Sequence, residues 1–265
     1  MALFGPDVSD WQETVDWNAV RAAGATFGLC KSTEGVNVVM DTVEANRQGM
    51  ASAGMAAIGV YHFARPDDGD PVGEADFFCD TIGPLRNREF AVLDIEVGDH
   101  ATWPDFIVAF CERVEARLGH PPVIYMSESA AQAMPPRCAR WPLWDAGYVT
   151  NFPTGWTELG VGPWSQILMW QFTDKFSLAG IDGNCDMNIA PDDLVHRLAG
   201  LGAGPSQEDA FMALSDIEMR EMIGTLKAIS STTDRDVVGT LGALRNTQDR
   251  IEIILTEMVG LLKTP

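Results

Sequence analysis

The chain has 265 residues, 46% hydrophobic and 21% charged, and its 38 acidic against 18 basic residues give a formal charge of −20. That apolar content excludes a disordered acidic chain, and the length allows one large core, or a large and a small one. The shortage of Lys and Arg argues against a nucleic-acid backbone or an anionic lipid surface as partner, and no apolar run is long enough to span a membrane.

The first residues, Met1 to Asp7, hold neither a basic segment nor a long apolar one, so the expectation is synthesis in a cytoplasm without a signal peptide. Short β-prone runs then recur at Leu3–Val8, Thr26–Lys31, Ala57–Phe63, Phe90–Ile95, Pro122–Met126, Leu143–Val149, Ile167–Phe172 and Asn184–Ile189. Helical patterns separate the early ones, at Trp17–Ala23, Thr42–Ala53, Glu74–Ile82 and Pro104–Leu118. Val108, Cys111, Val114 and Leu118 make the clearest stripe, at spacings of three and four. Alternating β and α predicts an α/β fold with a parallel sheet, and eight strand candidates predict closure into a TIM-like (β/α) barrel. The later connections are too short for full helices, so the barrel should be irregular.

A Gly-rich stretch, Ala199–Ser206, reads as a linker. The expected organisation is a barrel over residues 1–198, a linker over 199–206 and a small all-α helical region over 207–265. All eight Trp and all three Tyr precede the linker. Charge divides as 12 basic against 28 acidic before Ser206 and 6 against 10 from there on. Helical patterns cover Gln207–Ile229 and Arg235–Leu262. In the second, Leu241, Leu244, Ile251, Leu255, Met258 and Leu262 fall on heptad positions, with Gln248 the polar member. Two helices cannot bury both stripes alone, so a homo-oligomer, a targeting role and docking on the barrel all stay open. The five cysteines (30, 79, 111, 138 and 185) are odd in number and widely spaced, which predicts reduced, buried thiols. Four histidines form no HExxH pair, so neither a metal nor another cofactor is expected.

Polar residues interrupt the strands where a barrel places its chemistry, at their C-terminal ends. Asp7 ends the first run, and Lys31 and Glu34 follow the second. Tyr61 and His62 close the third, Asp94 and Glu96 the fourth, Tyr125 and Ser127 the fifth. Trp144 and Asp145 lie in the sixth, Trp170 and Gln171 end the seventh, and Asp186 and Asn188 end the eighth. In Asp94-Ile95-Glu96 the two acids share a strand face, with Cα atoms roughly 6.6 Å apart. Two inward carboxyls repel, one pKa rises, and the result is one acid and one carboxylate, as glycoside hydrolysis requires. Trp144 and Trp170 are expected in the cleft as sugar platforms, and Trp11, Trp17 and Trp103 in the core.

These residues resemble a known family. Asp7-Val8-Ser9-Asp10-Trp11-Gln12, Lys31-Ser32-Thr33-Glu34-Gly35, Gly59-Val60-Tyr61-His62-Phe63, Leu93-Asp94-Ile95-Glu96, Ile124-Tyr125, Leu143-Trp144, Trp170-Gln171 and Asp186-Met187-Asn188 are similar, in order, to motifs of glycoside hydrolase family 25 lysozymes. The resemblance covers roughly residues 3–195. It implies a flattened, irregular barrel that cleaves the β-1,4 bond between N-acetylmuramic acid and N-acetylglucosamine in bacterial peptidoglycan, with retention of configuration. By position it implies Glu96 as general acid and Asp94 as its partner carboxylate. Asp7 and Asp186 would be two further cleft acids, and Lys31, Tyr61, Tyr125 and Gln171 substrate-binding residues. One departure is Asp145, where an apolar residue is expected; it should face away from the interior if Trp144 faces in. A muramidase without an export signal suggests a bacteriophage endolysin, made in the host cytoplasm and acting on the wall. The helical tail would then serve oligomerisation or cell-wall targeting. The competing reading is a non-catalytic glycan-binding barrel in a virion or wall assembly, which would not require all four acids.

Overall fold

The computed structural model describes residues 2–201. The region expected to be helical, 207–265, lies outside the described residues, and with it the expected oligomer and most of the linker.

Nine strands form one sheet: β1 (Ala2–Val8), β2 (Phe27–Glu34), β3 (Val38–Val39), β4 (Ala57–Phe63), β5 (Glu89–Asp94), β6 (Val123–Ser127), β7 (Leu143–Ala146), β8 (Met169–Phe176) and β9 (Cys185–Pro191). The order is β1-β9-β8-β7-β6-β5-β4-β2-β3, and a parallel β1–β2 pairing closes eight of them into a barrel. β3 is a short hairpin partner of β2 outside the ring. The helices are α1 (Trp17–Ala22), α2 (Val43–Ser52), α3 (Pro71–Ile82), α4 (Trp103–Leu118), α5 (Glu128–Ala133) and α6 (Leu194–Ala199). None of them is long and apolar enough to cross a membrane.

The local signals explain where helices begin. Asp16 caps α1 by accepting from the backbone N–H groups of Asn18 and Ala19, both at 3.0 Å. Asp70 caps α3, accepting from Gly73 N at 2.8 Å, and Pro71 sits in its first turn. α4 stops at Gly119, whose φ of 75° is left-handed.

The expectation of an all-parallel sheet is corrected at its last strand. β9 runs antiparallel to both β8 and β1. Residues 177–184 are too few for a crossover to a parallel neighbour, so the chain turns back as a hairpin. The late irregularity is as expected: the β6–β7 connection carries only the short α5 and a 3-10 turn, and no helix lies between β7 and β8.

Strand alternation divides the core into layers. Leu29, Val92, Val123, Trp144 and Met169 fill the barrel interior. Val60, Leu93, Ile95, Ile124 and Leu143 face α3 and α4, and Val8, Cys30 and Ile58 face α1 and α2. Gly5 marks a close approach of β1 to β2: a Cβ there would lie 2.2 Å from the Phe27 carbonyl oxygen. We expect Gly5→Ala to destabilise the barrel by about 3 kcal/mol or more, because backbone cannot yield as a side chain can. Urea unfolding would measure it, and an unchanged midpoint would contradict the strand packing.

Trp17 and Trp103 lie in the core, as expected. Trp11 does not. It sits on a 3-10 turn after β1 and is 91% exposed.

Candidate active site

The carboxyl end of β1 delivers Asp7 inward, and β9 places Asp186 directly opposite it. Asp186 is not at the end of its strand, as the sequence suggested, but near the start. The reversed direction of β9 still brings it to the same rim. β5 ends at Asp94, which is 5% exposed. Glu96 follows beyond the strand, exposed at the mouth, while Ile95 between them packs outward among helices.

The four acids form two pairs. The carboxyls of Asp94 and Glu96 lie close enough to shift each other's ionisation, and Asp94 Oδ1 is buried without a hydrogen-bond partner among the described residues. Burial and then the like charge of Glu96 push Asp94 well above the ordinary carboxylate range, while Lys31 pulls the other way. Burial raises Glu96 as well, and Asp94 opposes that rise. Burial pushes Asp186 up to about 8, with Asp7 adding to it. Asp7 is also raised by burial, against the hydrogen bonds from Asn188 and Gln171. Within each pair the second carboxyl opposes simultaneous ionisation.

A hydrogen-bond network fixes these positions. Asp7 Oδ2 accepts from Asn188 Nδ2 at 2.8 Å and Gln171 Nε2 at 3.0 Å. Gln171 Oε1 in turn accepts from the hydroxyls of Tyr125 at 2.8 Å and Tyr148 at 3.0 Å. Tyr61 donates to the Val8 carbonyl at 3.2 Å. Lys31 is held by Glu34, Nζ to Oε2 2.6 Å, and lies over the Phe63 ring.

Of the residues singled out from sequence, the structure brings together Asp7, Lys31, Tyr61, Asp94, Glu96, Tyr125, Gln171 and Asp186. Trp144 faces inward but is buried at the floor, tilted against Tyr125 and donating from Nε1 to Asn188 Oδ1 at 2.8 Å. It is a support for the cleft rather than an open platform. Trp170 is not in the cleft. Met169 and Gln171 take the inward positions of β8, so Trp170 points outward, packs among the helix-facing clusters and donates to the Gly147 carbonyl. His62 also points outward and pairs with buried Glu74 at 2.7 Å. Sequence reasoning missed Tyr148, and gave Asn188 no role. Asn188 stands with Asp186 in the strand reading, two residues on and so on the same face, but no local pattern marks Tyr148.

Asp145 faces outward, as the inward Trp144 requires, and is buried without a hydrogen-bond partner on Oδ1. Burial, and then Glu128, raise its carboxyl to about 7. A raised native pKa means that its stabilising protonated form is complete below about pH 4 and lost as pH rises through 7. Asp145→Asn should therefore flatten the fall in stability between pH 5 and 8 and leave the variant the more stable at pH 8. Thermal unfolding across that range would show it; parallel curves for both proteins would refute it.

A closed β/α barrel that gathers paired carboxyls with raised pKa at one rim is built for general acid–base chemistry on a polar substrate, the design of a glycoside hydrolase. Residues 6–181 match the model for glycosyl hydrolases family 25, and the chain belongs to that family. It is 32% identical over 203 residues to Lysozyme M1 of Streptomyces globisporus, an alignment covering 69% of this chain and 66% of that one. The chain thus spans about two thirds of that relative's length. The crystal structure of a bacterial lysozyme from Streptomyces coelicolor superposes with a TM-score of 0.64 at 29% identity, over 76% of this chain and 96% of that one. The CTP1L endolysin gives 0.63 at 26% identity, over 75% and 70%.

Proposed function

We propose that this hydrolase is an N-acetylmuramidase that cleaves the β-1,4 bond between N-acetylmuramic acid and N-acetylglucosamine in bacterial peptidoglycan. The observation that carries the reading is the Asp94–Glu96 pair, one buried and one open carboxyl side by side at the cleft mouth, both pushed above the ordinary range. The buried member holds its proton most tightly in the free protein. A sugar ring over the mouth displaces water from Glu96, raises its proton affinity and brings the proton to the side that faces the glycosidic oxygen. Glu96 then protonates the departing oxygen. Asp94, left as a carboxylate, orients the acetamido group whose oxygen attacks the anomeric carbon from the opposite face. Water completes the hydrolysis with overall retention. Asp7 and Asp186 hold the far wall with Tyr125 and Gln171, and exposed Trp11 and Tyr148 offer aromatic surface. Mass spectrometry of products from purified sacculi tests the reading. Fragments with reducing-end N-acetylmuramic acid support it, and fragments with reducing-end N-acetylglucosamine, or none, refute it.

The likeness to the CTP1L endolysin supports a narrower role, host lysis late in a phage cycle. Cells making the protein in their cytoplasm should stay intact until a pore-forming protein opens the membrane, and then lyse. Lysis that is indifferent to the pore would contradict it.

A further inference from the structure

Beside the cleft lies a cavity of about 230 Å³ that includes Glu128, Asp145, Gly147, Tyr148, Leu159 and Trp170 in its lining. Asp145 is 3% exposed, and its Oδ1 has no hydrogen-bond partner among the described residues. A buried carboxyl in that state is unfavourable unless a donor is brought to it. Among the described residues neither Glu128 nor Asp145 is in an ion pair with a Lys or Arg.

Gly147 shapes the space above these acids. A Cβ on it would lie 3.0 Å from Glu128 Oε2, 3.4 Å from Trp170 Nε1 and 3.7 Å from Asp145 Oδ2. Its φ is not left-handed, so the backbone does not require glycine; a methyl there would instead crowd Glu128. By those distances Glu128 Oε2 and Asp145 Oδ2 are less than about 7 Å apart, and both residues border the same cavity. The indole N–H is already committed to the Gly147 carbonyl at 2.8 Å. The cavity therefore offers acceptors and negative charge, and fits a donor that carries positive charge. Val149, Leu159 and Val161 add apolar wall, which suits an alkyl chain. A metal ion fits poorly: among the described residues no group of three His, Cys, Asp or Glu side chains is placed to hold one. Tyr148 lines the cavity and also donates to Gln171 in the acid network, so an occupant would sit next to a glycan in the cleft.

We propose that the Glu128–Asp145 cavity binds a primary ammonium group at the end of an alkyl chain. Resting on the muramidase reading above, the source of that group is the peptide branch of the glycan strand held in the cleft.

The site can be tested without hydrolysis, on the full chain, by following the Trp170 indole N–H resonance. The probe is Nα-acetyl-lysine methylamide, and its Nε-acetylated form, which lacks the charge, is the control. Saturable shifts are expected with the ammonium probe alone, weakened at least tenfold by Asp145→Asn and by Gly147→Ala, whose methyl presses on the Glu128 carboxylate and which keeps both acids. No saturable shift, or equal shifts from both probes, overturns the site. The source is tested by kinetics on peptidoglycan whose peptide amines are free or acetylated. Acetylation should raise KM several-fold for the unsubstituted enzyme with kcat unchanged, and should not raise it further in Asp145→Asn. Equal KM values overturn the peptide assignment. Absence of hydrolysis on both substrates would sink the muramidase reading instead, and the resonance titration would still decide the ammonium site.

Discussion

Glu96→Gln is expected to lower kcat on peptidoglycan by about 10²–10⁴-fold, the range that a positioned general acid contributes. That is roughly 3–5.5 kcal/mol of barrier. Glutamine keeps the shape of the side chain, but it has no proton of suitable acidity to give to a departing sugar oxygen. The fold should not suffer. Glu96 lies past the end of β5 at an open mouth, and its charge raises the cost of ionising Asp94. Removing that charge should leave the unfolding midpoint unchanged or slightly higher, the trade expected where like charges are held together for chemistry. Turbidity clearing of cell walls and urea unfolding on the same preparations would separate the two effects. Clearing at the unsubstituted rate would remove Glu96 from its role. A loss of both activity and stability would mean that it is structural.

Why that acid pair was legible in the sequence while Trp170 was misplaced follows from how barrel strands are buried. Ala91-Val92-Leu93 is an apolar run that ends in acids, and a charge ending such a run marks the strand's open end whichever face each residue takes. Inside a run the faces are harder to tell. Strands covered by helices outside and side chains inside are apolar on both faces, so alternation gives no signal. In Met169-Trp170-Gln171-Phe172 nothing local says that the polar glutamine faces the interior. Its partners, Tyr125 and Asp7, come from β6 and β1, each two strands away around the ring. The direction of β9 was hidden for a related reason: it depends on the hairpin at 177–184, not on the strand's own residues. Trp11 was misplaced because aromatic size suggests burial, whereas a turn beyond a strand end can expose it.

The opposite end of the barrel should respond in the opposite way. Glu89 opens β5, the strand that ends at Asp94, and its side chain is 1% exposed against 3% for Arg47 of α2. Arg47 donates to both carboxylate oxygens, Nε to Oε1 at 2.9 Å and Nη2 to Oε2 at 2.7 Å, while its Nη1 donates to the carbonyl of Ile82 at the end of α3. Glu89 Oε2 also accepts from Arg86 N at 2.9 Å. One buried pair therefore ties α2, the end of α3 and the start of β5 together. Glu89→Gln would leave a guanidinium buried without its counter-charge, and should cost about 3–5 kcal/mol, the usual loss when one member of a buried pair is removed. Replacing both partners by apolar residues of similar volume should cost much less, since no charge is then stranded. A double-mutant cycle in urea would measure the difference, and an additive result would show that the two side chains do not act as a pair. The surviving folded fraction of Glu89→Gln should keep its kcat, because nothing at this end touches the cleft. Conservation of kcat with loss of stability here, against loss of kcat with conservation of stability at Glu96, would place chemistry and support at opposite ends of the same strand, as the barrel geometry requires.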